Sequence, residues 1–225
     1  MHDHTHPLTR AARWLRVTLG GCALVAGAAS TAAAQLSTPF QGPDVEAVGQ
    51  AVLTPRLAVV DDESTSVGPI LGARYVVADD VSLHGHLGGL FGDVDAFTFG
   101  VGAKVKLLEQ GGDLPVDLSG ITTFGLAAGS DVTLVTWLAG PIVGHTFLVD
   151  SVTFTPYGGF GLGIAYREID GPGRNDSDDT DLAAGLLFGG DVGLTRDLSI
   201  ASEIMFGLAD GLPDVNWTAG IAYKF

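Results

Sequence analysis

The sequence predicts an all-β fold, an up-and-down antiparallel transmembrane β-barrel, on three observations. The chain is 46% hydrophobic with only 16% charged residues, against about 25% charged in ordinary soluble domains. Its longest uncharged apolar run, residues 19–34, lies near the start, and beyond it nothing reaches the ~20 apolar residues of a membrane-crossing helix. From Val52 onward the chain instead alternates with a period of two, in about ten stretches of about ten residues divided by Gly, Asp, Asn and Pro. Strands that show apolar side chains to lipid and small or polar ones to a lumen produce that pattern.

In chain order, residues 1–34 read as a secretory signal peptide. Arg10, Arg13 and Arg16 supply a basic region, residues 19–30 a short apolar stretch, and Ala32 and Ala34 the small residues expected at a cleavage site after Ala34. A lipobox reading of Leu19, Gly20, Gly21 and Cys22 fits less well, because Arg16 leaves almost no apolar stretch ahead of Cys22. Residues 35–51 are expected to form a short periplasmic arm, and residues 52–225 the barrel. Cys22 is the single cysteine, so residues 35–225 can form no intrachain disulfide.

Three stretches carry the strand reading most clearly. In the last, Val215, Trp217, Ala219, Ile221, Tyr223 and Phe225 share one face, opposite Asn216, Thr218, Gly220, Ala222 and Lys224. Residues 97–107 set Phe97, Phe99, Val101, Ala103, Val105 and Leu107 against Thr98, Gly100, Gly102, Lys104 and Lys106. Residues 152–167 set Phe154, Phe160, Leu162, Ile164 and Tyr166 against Thr153, Thr155, Tyr157 and a run of alternating glycines. Small inward residues suit a narrow lumen. The strand count is ten, with eight as the alternative because residues 132–147 have an ambiguous phase. An even count with both termini periplasmic places the longest connection, near residues 170–181, outside the cell.

The leader, the alternating segments and the ending Gly220, Ile221, Ala222, Tyr223, Lys224, Phe225 resemble the small bacterial outer-membrane β-barrel (porin-like) family. The resemblance implies location in the outer membrane of a Gram-negative cell envelope after export through the inner membrane. It also implies contact with outer-membrane lipid and lipopolysaccharide, and delivery by the barrel-assembly machinery, with Ile221, Tyr223 and Phe225 as the assembly signal.

Charge narrows the function classes. With the leader removed, eight basic and 25 acidic side chains remain, a net charge of −17, which argues against nucleic acid as a partner. The strand phase turns Arg56, Arg74, Lys104, Lys106, Arg167 and Lys224 inward, together with Asp117, Asp191 and Glu203. Charges confined to the lumen are expected from the cost of Arg or Lys in lipid, about 2–4 kcal/mol at mid-depth. They read first as a lumenal salt-bridge and water network that rigidifies the barrel, with the lining of a narrow anion-preferring path as the alternative. His84 and His86 also face inward, but two ligands do not make a metal site, and His145 lies in the stretch of uncertain phase. The acids near residues 170–181 could meet divalent cations that bridge lipopolysaccharide. No Ser/His/acid arrangement stands out. The reading is a structural or surface-interaction barrel, not an enzyme, without cofactor or bound metal. The alternatives are a narrow passive channel for small, anionic solutes and, third, a membrane-embedded hydrolase.

Overall fold

The computed structural model describes residues 42–62, 64–92, 95–111, 115–129, 132–169 and 177–225. The leader with Ala32 and Ala34 lies outside them. Eleven strands follow in order: β1 (Ala51–Asp62), β2 (Ser64–Ala78), β3 (Val81–Gly92), β4 (Ala96–Leu108), β5 (Asp117–Gly129), β6 (Val132–Gly144), β7 (Phe147–Val149), β8 (Val152–Ile169), β9 (Ser177–Gly193), β10 (Leu198–Gly207) and β11 (Val215–Lys224).

Ten of them close into a ring. Each long strand pairs antiparallel with its sequence neighbours, β6 pairs with β8, and β11 pairs with β1 from Val52↔Lys224 to Asp61↔Val215. Closure leaves no open sheet edge, which lipid requires because it offers the backbone no hydrogen-bond partners. β7 is a three-residue continuation of β6 that pairs only with the start of β8. The interruption at His145 and Thr146 is the physical source of the ambiguous phase there. His145 sits in that break, its ring edge-on to Phe147 at 4.3 Å.

The start of β1, the end of β11 and the strand ends that flank the β2–β3, β4–β5, β7–β8 and β9–β10 connections lie at one end, called here the near mouth. Asp80 and Asp150 take left-handed φ values of 65° and 56° there, which Asp tolerates because its short side chain bonds locally. The far mouth carries the other connections. The β8–β9 connection is shorter than the sequence suggests, since Asp178, Asp179 and Asp181 belong to β9 and pair with Glu168, Arg167 and Ala165.

Alternation holds round the ring. Leu57, Leu71, Leu87, Phe99, Phe124, Leu162, Ile164 and Ile200 are exposed on the outer wall, whereas Ala58, Val60, Ile70, Ala127, Leu134 and Ala183 are buried inside. Exposed aromatics gather at both ends: Tyr75, Phe147, Phe154, Tyr223 and Phe225 near the termini, and Phe91, Phe97, Phe206 and Trp217 toward the far mouth. Such girdles mark the two membrane interfaces.

Three prolines interrupt the ladders. The β1–β11 register skips Thr54 and Pro55, the β2–β3 register skips Gly68 and Pro69, and the β6–β8 register skips Gly140 and Pro141. Proline has no backbone N–H to donate, so the ladder on that side of the strand loses a bond. The chain keeps these gaps narrow by placing glycine beside two of them. A Cβ on Gly68 would fall 1.8 Å from the Gly89 carbonyl oxygen, and one on Gly140 1.7 Å from that of Phe160.

Candidate functional site

The lumen divides into two halves of different chemistry. The far half is apolar. Ala58, Val60, Ile70, Leu90, Ala96 and Ala127 form one cluster, and Leu134, Ala165, Ala183 and Met205 form another. The second is completed by Leu212, which comes from the β10–β11 connection and is buried among them. The Gly211 and Leu208 amides donate to the carbonyls of Leu182 (3.2 Å) and Ala184 (2.8 Å), tying that connection to β9 across the far mouth.

The near half is polar, and it is filled by the chain's own arm. Residues 42–50 fold back from the start of β1 into the near mouth, with Pro43 fully buried. The Lys104 ammonium, itself 0% exposed, donates to the Gly42 carbonyl at 2.7 Å and to the Asp44 carbonyl. Ser119 Oγ donates to the Pro43 carbonyl. Arg74 forms an ion pair with Glu46, which Lys224 approaches at 3.8 Å. Lys106 lies 3.0 Å from an Asp44 carboxylate oxygen and 3.5 Å from Asp117. A buried ammonium is tolerable only when its donors find acceptors, and two of those for Lys104 come from the arm. A cavity of about 280 Å³ remains beside the arm, lined among others by Thr54, Arg74, Thr155, Asp191, Ser199 and Lys224.

The remaining inward residues take distinct places. Arg56 and Glu203 are buried at mid-depth, and Tyr157 Oη donates to Glu203 Oε2 at 3.1 Å. Asp117 accepts from the Gln110 amide at 2.9 Å, and Asp191 from Ser199 Oγ at 2.8 Å. His84 and His86 are buried side by side on β3, with His84 Nε2 3.2 Å from Thr123 Oγ1. Their rings lie over β4, where a Cβ on Gly102 would come 2.3 Å from His84 Nε2 and one on Gly100 2.3 Å from His86 Cε1. The two glycines are therefore ring seats, and their neighbours His and Gly are cross-strand partners, His84↔Gly102 and His86↔Gly100. Arg167 stands apart at the far mouth, in an acidic vestibule with Asp62, Asp179, Asp181, Asp210 and Asp214. Ile221 and Tyr223 are exposed on the outer face of β11 and Phe225 just past its end, beside the seam with β1, where the Phe225 amide donates to the Ala51 carbonyl at 2.9 Å.

Asp44, Glu46, Ser119 and the carbonyls of residues 42–44 belong to this site without having been singled out in the sequence. Their signal was indirect. The near-half strands contribute five cations, Arg56, Arg74, Lys104, Lys106 and Lys224, against three acids, Asp117, Asp191 and Glu203, and the two acids just ahead of β1 supply the difference.

A closed ring of strands with an apolar outer wall, aromatic girdles and its charges inside defines a transmembrane β-barrel, and its architecture is that of the small bacterial outer-membrane barrels. No protein-family model and no curated protein matches it. Among solved structures, the β domain of the Bordetella autotransporter BrkA is similar at TM-score 0.50 and 12% identity, covering 78% of this chain and 98% of that one. The translocator domain of autotransporter NalP from Neisseria meningitidis gives TM-score 0.45 at 11% identity, with 81% and 90% covered. The N-terminal β-barrel domain of Pseudomonas aeruginosa OprF gives 0.38 at 15%, with 80% and 100% covered. Likeness at these identities concerns the fold alone.

Proposed function

We propose that this protein is a closed structural or surface-interaction barrel of the outer membrane, neither an open pore nor an enzyme. One observation carries the reading: the lumen is occupied along its length, by the arm and the buried Lys104 in the near half and by the two apolar clusters in the far half. An apolar constriction in a narrow lumen sheds water and opposes ion passage. A narrow channel for small anions keeps support from the cationic near half, but conduction needs both the arm and Leu212 to leave their seats. For the hydrolase reading, His84 neighbours Thr123 and Lys104 and His86 neighbours Arg56, so the groups beside the two imidazoles are cations and a hydroxyl rather than an orienting carboxylate.

With both termini placed in the periplasm, the far rim faces outward. Its carboxylates at Asp179, Asp181, Asp210 and Asp214 are then the surface through which divalent cations would tie the barrel to lipopolysaccharide. The exposed residues Ile221, Tyr223 and Phe225 would be read by the barrel-assembly machinery before closure with β1.

Planar-bilayer recording tests the closed reading. The leaderless chain, residues 35–225, is expected to give no stable unitary conductance. Steps that fall when Lys104 and Lys106 are neutralised would establish the channel instead.

A further inference from the structure

We propose that the near half of the lumen is a reversible binding site for an extended acidic peptide, occupied at rest by residues 42–46 of the same chain. The arm is held as a ligand is held. Among the described residues, its backbone hydrogen bonds to the barrel are confined to Gly49 and Gln50, which pair with Val76 at 3.0 Å each. Every anchor upstream comes from a barrel side chain. Lys104 and Ser119 read the carbonyls of three successive residues, Arg74 and Lys224 read the Glu46 carboxylate, and Lys106 reads that of Asp44. Pro43 has its own seat against β6, where a Cβ on Gly144 would come 2.7 Å from Pro43 Cγ. The pattern recognised is thus a proline followed by two acids with one residue between them.

Two further observations make the occupant exchangeable. The arm leaves β1 through Gly49, whose left-handed φ of 85° and open surroundings form a hinge. The cavity of about 280 Å³ beside the arm gives the leading residues of an incoming peptide room to enter before the resident segment has left. Charge also fits an acidic occupant, since the near-half strands alone carry two more cations than acids. A small anion would satisfy Arg74 or Lys104 but would leave the proline seat and the row of carbonyl donors unused. The site is independent of whether the barrel conducts, so a failed conductance test leaves this proposal standing, and the reverse holds too.

The experiment uses the leaderless chain with Gly42→Cys, a unique thiol because residues 35–225 have no other cysteine, at a residue held only through its carbonyl and with room for a side chain. Mass-shift labelling with a polyethylene glycol maleimide reads how often residue 42 is released. Slow labelling is expected at rest, with acceleration of tenfold or more on adding Glu46→Gln. A fluorescein-labelled peptide of residues 42–50 should bind the Glu46→Gln chain (with Gly42 intact) saturably, and substitution of Lys104→Met should weaken that binding several-fold. Two results overturn the proposal: labelling that Glu46→Gln leaves unchanged together with no peptide binding, which makes the arm a fixed part of the wall, or equal binding of a scrambled peptide. Complete displacement by millimolar inorganic phosphate would reassign the site to small anions. Heat-modifiable gel mobility confirms that each variant is a closed barrel.

Discussion

Glu46 shows how one residue joins arm and wall. Burial in the mouth by itself raises its carboxyl pKa, but Arg74, with help from Lys104 and Lys224, outweighs burial and holds it below the ordinary 4.5. A carboxyl depressed on docking contributes fully at pH values above 4.5, and its contribution is lost as pH falls through the lower docked value. Arm docking is therefore expected to persist from neutral pH down to about 4.5 and to weaken below it. Pepsin cleavage within residues 42–48, followed by mass spectrometry from pH 5 to 2, should rise across that window. In the Glu46→Gln chain the rise should be largely gone, because cleavage starts high. At this scale the sequence is only half legible. Inward charges such as Lys104 follow from strand phase, whereas the partner of Lys104 lies 60 residues away in a segment with no periodicity.

At the scale of elements, the strands were legible because lipid and lumen impose opposite demands on alternate residues, as in β4 and β11. The breaks were less so. Pro55, Pro69 and Pro141 sit on the outward phase with other apolar residues, so they pass as lipid-facing positions while removing ladder donors. Likewise, the acids after residue 177 look like loop yet extend β9, because β8 across from them runs equally long. Amide hydrogen exchange in detergent should separate intact from interrupted seams. Amides flanking the gaps at residues 68–69 and 140–141 are expected to exchange at least tenfold faster than those of the unbroken β4–β5 ladder between Ala96 and Lys106. Equal protection would mean that the glycine-assisted close approach compensates for the missing bonds.

For the whole molecule, the decisive property is inversion, with apolar side chains outside and charges inside. Trp137 and Trp217 report on it, since both are exposed on the outer wall while their indole N–H groups donate to Thr122 Oγ1 (3.0 Å) and Ser202 Oγ (2.9 Å). Refolded into vesicles, the leaderless chain should emit at short wavelength, and brominated acyl chains should quench at least half of that fluorescence. Quenching by aqueous iodide instead would contradict the membrane placement. The fold class, closure and outer surface could be anticipated because they depend on a repeat read anywhere in the chain. The occupied lumen could not, because Leu212 and Pro43 reach it from connections, where no repeat constrains position.

The arm's set of partners also orders events in time. Glu46 meets Arg74 on β2 and Lys224 at the very end of β11, and residues 42–44 meet Lys104 on β4 and Ser119 on β5. No partial ring offers all four groups, because Lys224 is brought beside Val52 only when the last strand zips to the first. Arg74, Lys104 and Ser119 come together in the β2–β5 sheet, so only the Lys224 contact with Glu46 waits for ring completion. A chain stalled before that zipping would hold Glu46 through Arg74 alone, and its arm is expected to leave the lumen more readily than in the finished barrel.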